Sequence, residues 1–475
     1  MPADARTSEP GLDRISSLWP RDLVKQEARE TLRLALPITF AQIALMTMGL
    51  VDAALVGRVS DSELAAVSIG NALVFAMVCP AMGVTLAVEP LASQAVGSGD
   101  LPRSWRSVRA AALAVLVLSV PTMLAMVLAT LALEPAGVDP VVAASASKFV
   151  WARLPGIPGF LTFIAVKAYL EARGMTRPLF QIGWLANGVN LVAASLLVFG
   201  DRALVYVGLP GVGLPMLGSF GAGIATSIAS TLLAGLALWS AWSARPTGAS
   251  LLRGEATEVR GAARTLARVG IPIGLQLLTE VGVFAFVTVL MGRLGATATA
   301  AHQIALGLAS FTFMAVIGMS NATAVRVGRA IGAGQSAGPR RAGLIGVGMG
   351  AVWMLGCALV FLAVPRQLAA LFTEDKVVLD AAEVLLRIAA VFQIADGVQG
   401  VASGALRGAA DTRFASLANV ACHWGVGLPI ALLLAFHFHY GAPGLWWGLS
   451  AGLFAVAAVL VARFLRISGR PIAAI

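Results

Sequence analysis

Residues Ala110–Leu133 read AAALAVLVLSVPTMLAMVLATLAL, a stretch without a single charged side chain. A helix of about 20 apolar residues spans the ~30 Å hydrocarbon core of a bilayer, so this stretch predicts a transmembrane helix. The whole chain has the same character, because 58% of its 475 residues are hydrophobic and 12% are charged. Soluble globular chains carry roughly 25% charged residues. The sequence therefore predicts a polytopic integral membrane protein.

Apolar blocks and the polar or glycine-rich breaks between them predict twelve transmembrane helices. Glycine-rich segments such as 328–334 are predicted to be turns. That segment is not a phosphate loop, since no Gly-Lys-Ser/Thr follows it and no strand precedes it. The predicted spans are residues 33–58, 62–90, 107–133, 141–169, 178–200, 213–242, 264–292, 298–325, 342–364, 378–406, 414–438 and 441–465.

The net charge of +10 is explained by its placement along the chain. With a cytoplasmic N-terminus, 25 of the 34 lysines and arginines fall on the cytoplasmic side and six fall outside. This bias is the positive-inside rule, and it predicts an inner-membrane protein with both termini in the cytoplasm. The basic excess therefore does not indicate a nucleic-acid partner. Residues 1–32 lack the apolar core of a signal peptide, so the first span is expected to direct insertion.

The chain repeats itself at a nearly constant offset, which indicates two copies of one unit. Three matches are 235 residues apart and a fourth is 234 apart. They are Leu36–Ile38 with Ile271–Ile273, Gly57–Arg58 with Gly292–Arg293, Ala95–Gly99 with Ala330–Gly334, and Arg173–Gly174 with Arg407–Gly408.

Six spans per copy is an even number, so both copies enter the membrane from the same side. The predicted fold is all-α, with twelve transmembrane helices in two six-helix lobes related by a pseudo-twofold axis along the membrane normal. Transporters built from such parallel repeats bind substrate near the midplane between halves and rock one half against the other. The predicted parts are a cytoplasmic N-terminal segment 1–32, an N-lobe 33–242, a cytoplasmic linker 243–263, a C-lobe 264–466 and a cytoplasmic tail 467–475.

Three carboxylates lie deep inside predicted spans, where an ionisable side chain costs ~2.5–3.5 kcal/mol and is a candidate functional group. Glu280 and Asp396 are near the middle of the seventh and tenth spans, and Asp52 is in the outer half of the first. Low-dielectric surroundings disfavour the charged form of a carboxylate. Such a group therefore accepts a proton, a metal cation or an organic cation. A group that holds either a coupling ion or a cationic substrate suits an antiporter. Alternatively, each is a structural residue satisfied by a neighbouring helix.

Further polar residues in the spans have two interpretations each. Asn187 and Asn190 in the fifth span and Thr226 in the sixth offer oxygen atoms that, with Asp52, suit a hard cation such as Na⁺. Interhelical hydrogen bonding explains the same residues equally well.

Gln276 and Gln303 either line a cavity or make packing contacts, and Glu89 either caps the inner half of the second span or binds an ion. The three cysteines are isolated, without disulfide or metal spacing. We expect no cofactor and no metal beyond the coupling ion, H⁺ or Na⁺, the latter at the same carboxylates.

Several of these residues stand in motifs that resemble those of MATE multidrug and toxin extrusion transporters, and the resemblance covers residues 31–466. The motifs are Met48–Asp52 with Gly57, Glu89–Gln94 with Gly97, Glu171–Pro178, Gly270–Gln276 with Glu280, Gly292–Gly295, Ala300–Ile304, and Asp396–Gly408 with Asp411 and Thr412.

The resemblance implies twelve helices in two lobes and export of cationic or amphipathic compounds against H⁺ or Na⁺. It is strongest to the NorM-like branch, which carries acids at the positions of Asp52, Glu280 and Asp396 and uses all three in cation coupling or drug binding. Asn190 matches an amide of that branch's N-lobe cation site. Some relatives place an aspartate where this chain has Ala194. This departure shifts the expected ion site towards the two acids of the C-lobe.

Two other functions compete with a monomeric exporter of small molecules. A flippase for a lipid-linked saccharide belongs to the same superfamily, but it favours a large arginine-rich cavity. A membrane-embedded enzyme needs a metal or nucleophile cluster, and the four histidines do not form an HExxH motif. We therefore expect a transporter and not an enzyme.

The charge bias makes the topology testable. A reporter domain fused after Arg466 should report a cytoplasmic location, because an even number of spans returns the chain to its starting side. Enzymatic reporters that are active on only one side of the membrane provide the measurement. A periplasmic signal at this position would contradict the predicted number of spans.

Overall fold

The computed structural model describes residues 20–206, 208–247 and 256–475, and within these ranges the chain is helical and has no strand. Residues 1–19 of the predicted N-terminal segment and 248–255 of the predicted linker lie outside the described residues. We number the long helices α1 Arg21–Val56, α2 Asp61–Gly97, α3 Leu101–Leu131, α4 Pro140–Ala172, α5 Thr176–Phe199, α6 Gly218–Ser243, α7 Ala256–Arg293, α8 Ala296–Gly332, α9 Gly338–Ala363, α10 Lys376–Gly408, α11 Thr412–His437 and α12 Gly441–Ile467.

Eleven of these helices are long and apolar enough to cross a membrane. The exception is α10, which has 33 residues and is more polar because Gln393, Asp396 and Gln399 interrupt its apolar stretch. Short helices also lie at Asp201–Tyr206 and Pro365–Ala370. The prediction of a helical, multi-pass membrane protein is confirmed, and the count of twelve spans stays a prediction.

Several helices extend beyond the predicted span ends, α1 and α8 among them. Helix α1 begins at Arg21, well before the predicted start of the first span at residue 33. Helix α8 runs on to Gly332, so the predicted turn over 328–334 is wrong for its first five residues. The turn begins only near Gly334, whose φ is +68°. Gly328 and Gly332 serve close helix packing, as the contacts of their backbones show.

Glycines bring helices of the two sequence halves into backbone contact. A Cβ on Gly83 of α2 would lie 2.0 Å from the backbone nitrogen of Gly274 in α7. A Cβ on Gly318 of α8 would lie 2.1 Å from Oγ1 of Thr39 in α1. The offset of 235 relates 83 to 318 and 39 to 274, so the two contacts are equivalent under the sequence repeat.

A second set of contacts joins the ends of α2 and α8. A Cβ on Gly97 would lie 2.1 Å from the carbonyl oxygen of Arg329, and one on Gly332 would lie 1.9 Å from that of Gln94. The offset of 235 again exchanges these two contacts. We call Gly83, Gly97, Gly274, Gly318, Gly328 and Gly332 the glycine seam.

Helices α1 and α7 change partners along their length. The inner part of α1 touches α8 through Thr39, whereas its outer part packs on α5 and α6. Likewise α7 touches α2 through Gly274 and packs on α11 further along. Pro37 and Pro272, also 235 residues apart, lie inside α1 and α7 beside these contacts. A proline removes a helical hydrogen bond and bends the helix there.

The glycine seam yields a test of packing. Gly83→Ala places a methyl group against backbone atoms, and such overpacking costs typically about 1–3 kcal/mol. We expect a lower melting temperature of the purified protein in detergent, and Gly318→Ala should behave alike. The control is Gly49→Ala in α1, where a Cβ meets open space. Equal melting temperatures for Gly83→Ala and Gly49→Ala would contradict the proposed role of the seam.

Candidate functional site

Asp52, in the outer part of α1, is the centre of a polar group in the N-terminal half. It is 1% exposed. Its Oδ2 lies 2.5 Å from the Thr226 hydroxyl of α6, and its Oδ1 has no hydrogen-bond partner. Asn190 of α5 neighbours the carboxylate, is fully buried, and has no hydrogen-bond partner at either amide atom. The structure therefore brings these three predicted residues together from three helices.

The remaining N-terminal candidate, Asn187, has a different partner. Its Nδ2 donates to the backbone oxygen of Ala44 and so ties α5 to α1, which favours the structural alternative for this residue. Sequence reasoning gave no role to Arg153 of α4, yet its charge lies near enough to Asp52 to interact with it. The only sequence signal was a basic residue inside a predicted span. Arg153 is therefore a basic residue in the vicinity of the N-terminal site, without an ion pair to Asp52 among the described residues.

Glu280 of α7 and Asp396 of α10 form a pair in the C-terminal half. Asp396 is 7% exposed and Glu280 is half-buried, and the two lie between the Gln276–Ser403 hydrogen bond and the Phe284–Phe392 ring contact that join α7 to α10. The side-chain amides of Gln399 and Asn419 neighbour Glu280. Within the described part of the chain, no basic residue forms an ion pair with either acid. This pair, unlike Asp52, has only neutral amides to compensate it.

The two amides beside Glu280 are well placed to bind the same ion or cargo as the Glu280 carboxylate. Gln399 is 1% exposed and Asn419 is fully buried. Gln399 Oε1 and both amide atoms of Asn419 have no hydrogen-bond partner within 3.5 Å. Sequence reasoning missed both residues. Gln399 follows Asp396 by three positions and so shares its helix face, whereas Asn419 lies on α11 and gave no local signal.

Aromatic side chains line the neighbourhood of the acid pair. Phe284 stands one turn beyond Glu280 and Phe392 one turn before Asp396, and their rings meet edge to face at 6.1 Å. Trp446 of α12 lies 5.4 Å from the ring of Phe392. Phe392 and Trp446 are 2% and 0% exposed, so these rings form a packed wall beside the acid pair.

Of the other predicted residues, two make side-chain contacts with neighbouring helices and one is exposed. Gln276 Nε2 donates to Ser403 Oγ at 2.8 Å and links α7 to α10, which is the packing alternative. Gln303 is exposed on α8 and does not join the acid pair. Glu89, whose role the sequence left open, pairs with Arg407 at 2.6 Å.

Helix α7, which carries Glu280, packs on α2 of the other half of the chain at Gly274 and Gly83. The acid pair therefore sits where the two halves of the sequence meet, with α2 on one side and α10 and α11 on the other. Two neighbouring carboxylates without a basic partner offer a site for a proton or another single cation. The roles of all these residues stay predictions.

Comparisons with known proteins identify relatives of this chain. The MatE family model matches residues 37–196 and 272–433. The chain is 35% identical to the "Probable multidrug resistance protein NorM" of Pseudomonas putida over 449 residues, which cover 92% of this chain and 94% of that protein. It is 37% identical to the protein of the same name from Deinococcus radiodurans over 450 residues, covering 92% and 95%. The structure resembles the eukaryotic MATE transporter AtDTX14 with a TM-score of 0.82 at 20% identity, covering 94% and 99%.

Proposed function

The chain belongs to the MatE family and is NorM-like, and on this premise we propose that it exports organic cations and related amphiphilic drugs or toxins across the inner membrane in exchange for H⁺ or Na⁺. Its relatives carry the name multidrug resistance protein. The observation that carries the choice of cargo is the acid pair Glu280–Asp396, which no basic residue neutralises among the described residues. An uncompensated negative charge within the membrane attracts a cation.

Exchange follows from competition at this pair. A proton or Na⁺ that arrives from outside occupies the carboxylates and displaces a cationic cargo outwards. When the site opens to the cytoplasm, the coupling ion leaves and the carboxylates regain affinity for the next cargo. One ion then enters for each cargo exported, provided that the transporter does not change its orientation while the site is empty and charged.

The architecture that supports this cycle has twelve spans in two lobes of six helices each, and a pseudo-twofold axis along the membrane normal relates the lobes. The support comes from the glycine seam, whose contacts exchange under the same offset of 235 that relates the sequence copies. Parallel repeats of this kind rock about a central site. We further propose that the protein is a monomer with residues 1–32, 243–263 and 467–475 in the cytoplasm.

A flippase for a lipid-linked saccharide is the second candidate, and the site argues against it. A pyrophosphate headgroup is anionic and calls for arginines. The aromatic-lined acid pair would repel it.

Glu280 is the residue that transport can least spare. Glu280→Gln keeps the volume and the hydrogen-bonding capacity but removes the charge, so a structural role should survive it. We expect normal membrane levels with coupled dye efflux reduced to the level of membranes without the protein, and a milder defect for Asp52→Asn, whose carboxylate has Arg153 beside it. Glu383→Gln, at an ion pair with Arg387 elsewhere on α10, is the matched control. Near-normal efflux by Glu280→Gln would return this residue to a structural role.

The coupling ion is proposed to be H⁺. Hard cations need several oxygen ligands; Ala194 removes one from the N-terminal site, and Arg153 adds a positive charge beside it. Efflux from everted vesicles should therefore collapse when an uncoupler is added at fixed Na⁺. Transport driven by a sodium gradient alone, with the proton gradient clamped at zero, would show this choice to be wrong.

A further inference from the structure

Side-chain contacts within and between the two sequence halves gather at one end of the helices. Arg407 Nε of α10 donates to Glu89 Oε2 of α2 at 2.6 Å, and Arg407 Nη2 donates to Asn321 Oδ1 of α8 at 2.9 Å. Asn321 Nδ2 lies 3.4 Å from Glu171 Oε2 of α4, and Glu171 Oε1 pairs with Lys167 at 3.1 Å. We call Glu89, Arg407, Asn321, Glu171 and Lys167 the charge chain.

Neighbouring contacts strengthen the same end. Arg326 pairs with Glu27 of α1 at 2.7 Å, and the guanidinium of Arg329 donates twice to the backbone oxygen of Ala172, at 2.7 and 3.0 Å. In the proposed topology this end is the cytoplasmic one. The structure is therefore that of a protein whose halves are joined at the cytoplasm.

The charge chain is buried to an unusual degree. Glu89 and Glu171 are each 1% exposed and Lys167 is 3% exposed. Buried ions are tolerated when each has its partner, and separating one pair leaves an uncompensated charge. If the halves part and water enters, however, each charge is solvated. The charges of the chain are therefore stabilised by their partners in the closed state and by water in the open state. An apolar contact, by comparison, would expose its whole surface to water on opening.

The position of the charge chain fits such a reversible contact. Ser93, one turn after Glu89, touches Gly328, and the offset of 235 maps this contact onto itself. The contact therefore marks where a pseudo-twofold axis would pass. Two members of the charge chain have no counterparts in the repeat, since Glu89 corresponds to Ala324 and Asn321 to Leu86, whereas Arg407 corresponds to Arg173 at the offset of 234. The two partners of Arg407 are therefore additions to the repeated scaffold.

We propose that Arg407 is the positioning residue that holds the cytoplasmic gate shut, by binding Glu89 of the other half with Nε while Asn321 of its own half holds Nη2, and that the contact with Glu89 opens to admit cargo. The arginine is suited to the task because its planar guanidinium serves two partners at once. The inference goes beyond the proposed function and rests on it in one respect, namely that the two halves rock against each other.

The test reads the gate without any cargo. Ser93→Cys introduces a thiol at a position that is fully buried in this structure, beside the charge chain. In everted vesicles, a membrane-impermeant maleimide reaches this thiol only when the cytoplasmic side opens. The same chain without Ser93→Cys gives the background from Cys79, Cys357 and Cys422.

In the Ser93→Cys background, Arg407→Gln should raise the labelling rate about tenfold or more, because the closed state loses its clamp and the open state does not. Arg407→Lys keeps the charge but not the two-way geometry, so it should fall between the two. Arg387→Gln, which breaks a 2.9 Å ion pair within one half of the chain on the same helix, is the matched control and should leave the rate unchanged.

Unchanged labelling in Arg407→Gln at normal membrane levels overturns the gate. If Arg407→Gln does not reach the membrane, Glu89→Gln removes the opposite partner and is judged by the same criterion. Raised labelling in a protein that shows no drug efflux leaves the gate standing while the proposed function fails. If labelling is unchanged while the wild-type protein shows coupled efflux, the gate fails and the proposed function stands.

Discussion

Backbone contact between α2 and α7, and its equivalent between α8 and α1, is the constraint on which the rest of this structure depends. In a bilayer no hydrophobic effect drives helices together, so close approach of backbones through small residues supplies much of their attraction. Gly83 and Gly274 leave no room for a Cβ at their crossing. The crossing lets α1 and α7 each contact both halves of the chain, and these two helices carry Asp52 and Glu280.

The scaffold is repeated, but its chemistry is not. Subtracting 235 from 280 gives Leu45, and adding it to 52 gives Val287, so neither acid has a counterpart. Asp52 has a hydroxyl at 2.5 Å and the charge of Arg153 nearby, whereas Glu280 has only amides and a second acid. One scaffold used twice therefore presents a single carboxylate bound to a hydroxyl in one half and two carboxylates with amide neighbours in the other.

The sequence predicted what depends on local pattern and on the repeat. Apolar blocks marked the helices because each must satisfy its backbone within itself in lipid, and mid-span acids marked the site because their cost is local. Glycines were ambiguous, since the same residue permits a turn or a close approach, and Gly332 proved to be the latter. Partners far apart in the chain left no signal: Glu89 and Arg407 are separated by 318 positions.

The candidate site and the proposed gate share helix α10, so a change at the site is transmitted to the gate along this helix. Helix α10 carries both Asp396 and Arg407, and at 1.5 Å per residue the two lie roughly 16 Å apart on one element. Helix α2 meets α7 at Gly83 and meets α10 through the pair of Glu89 and Arg407. Two neighbouring carboxylates between α7 and α10 disfavour each other's charge, and a bound cation offsets this repulsion. In the proposed function, cargo or coupling ion therefore acts on α7 and α10, and α10 also carries the arginine of the proposed gate.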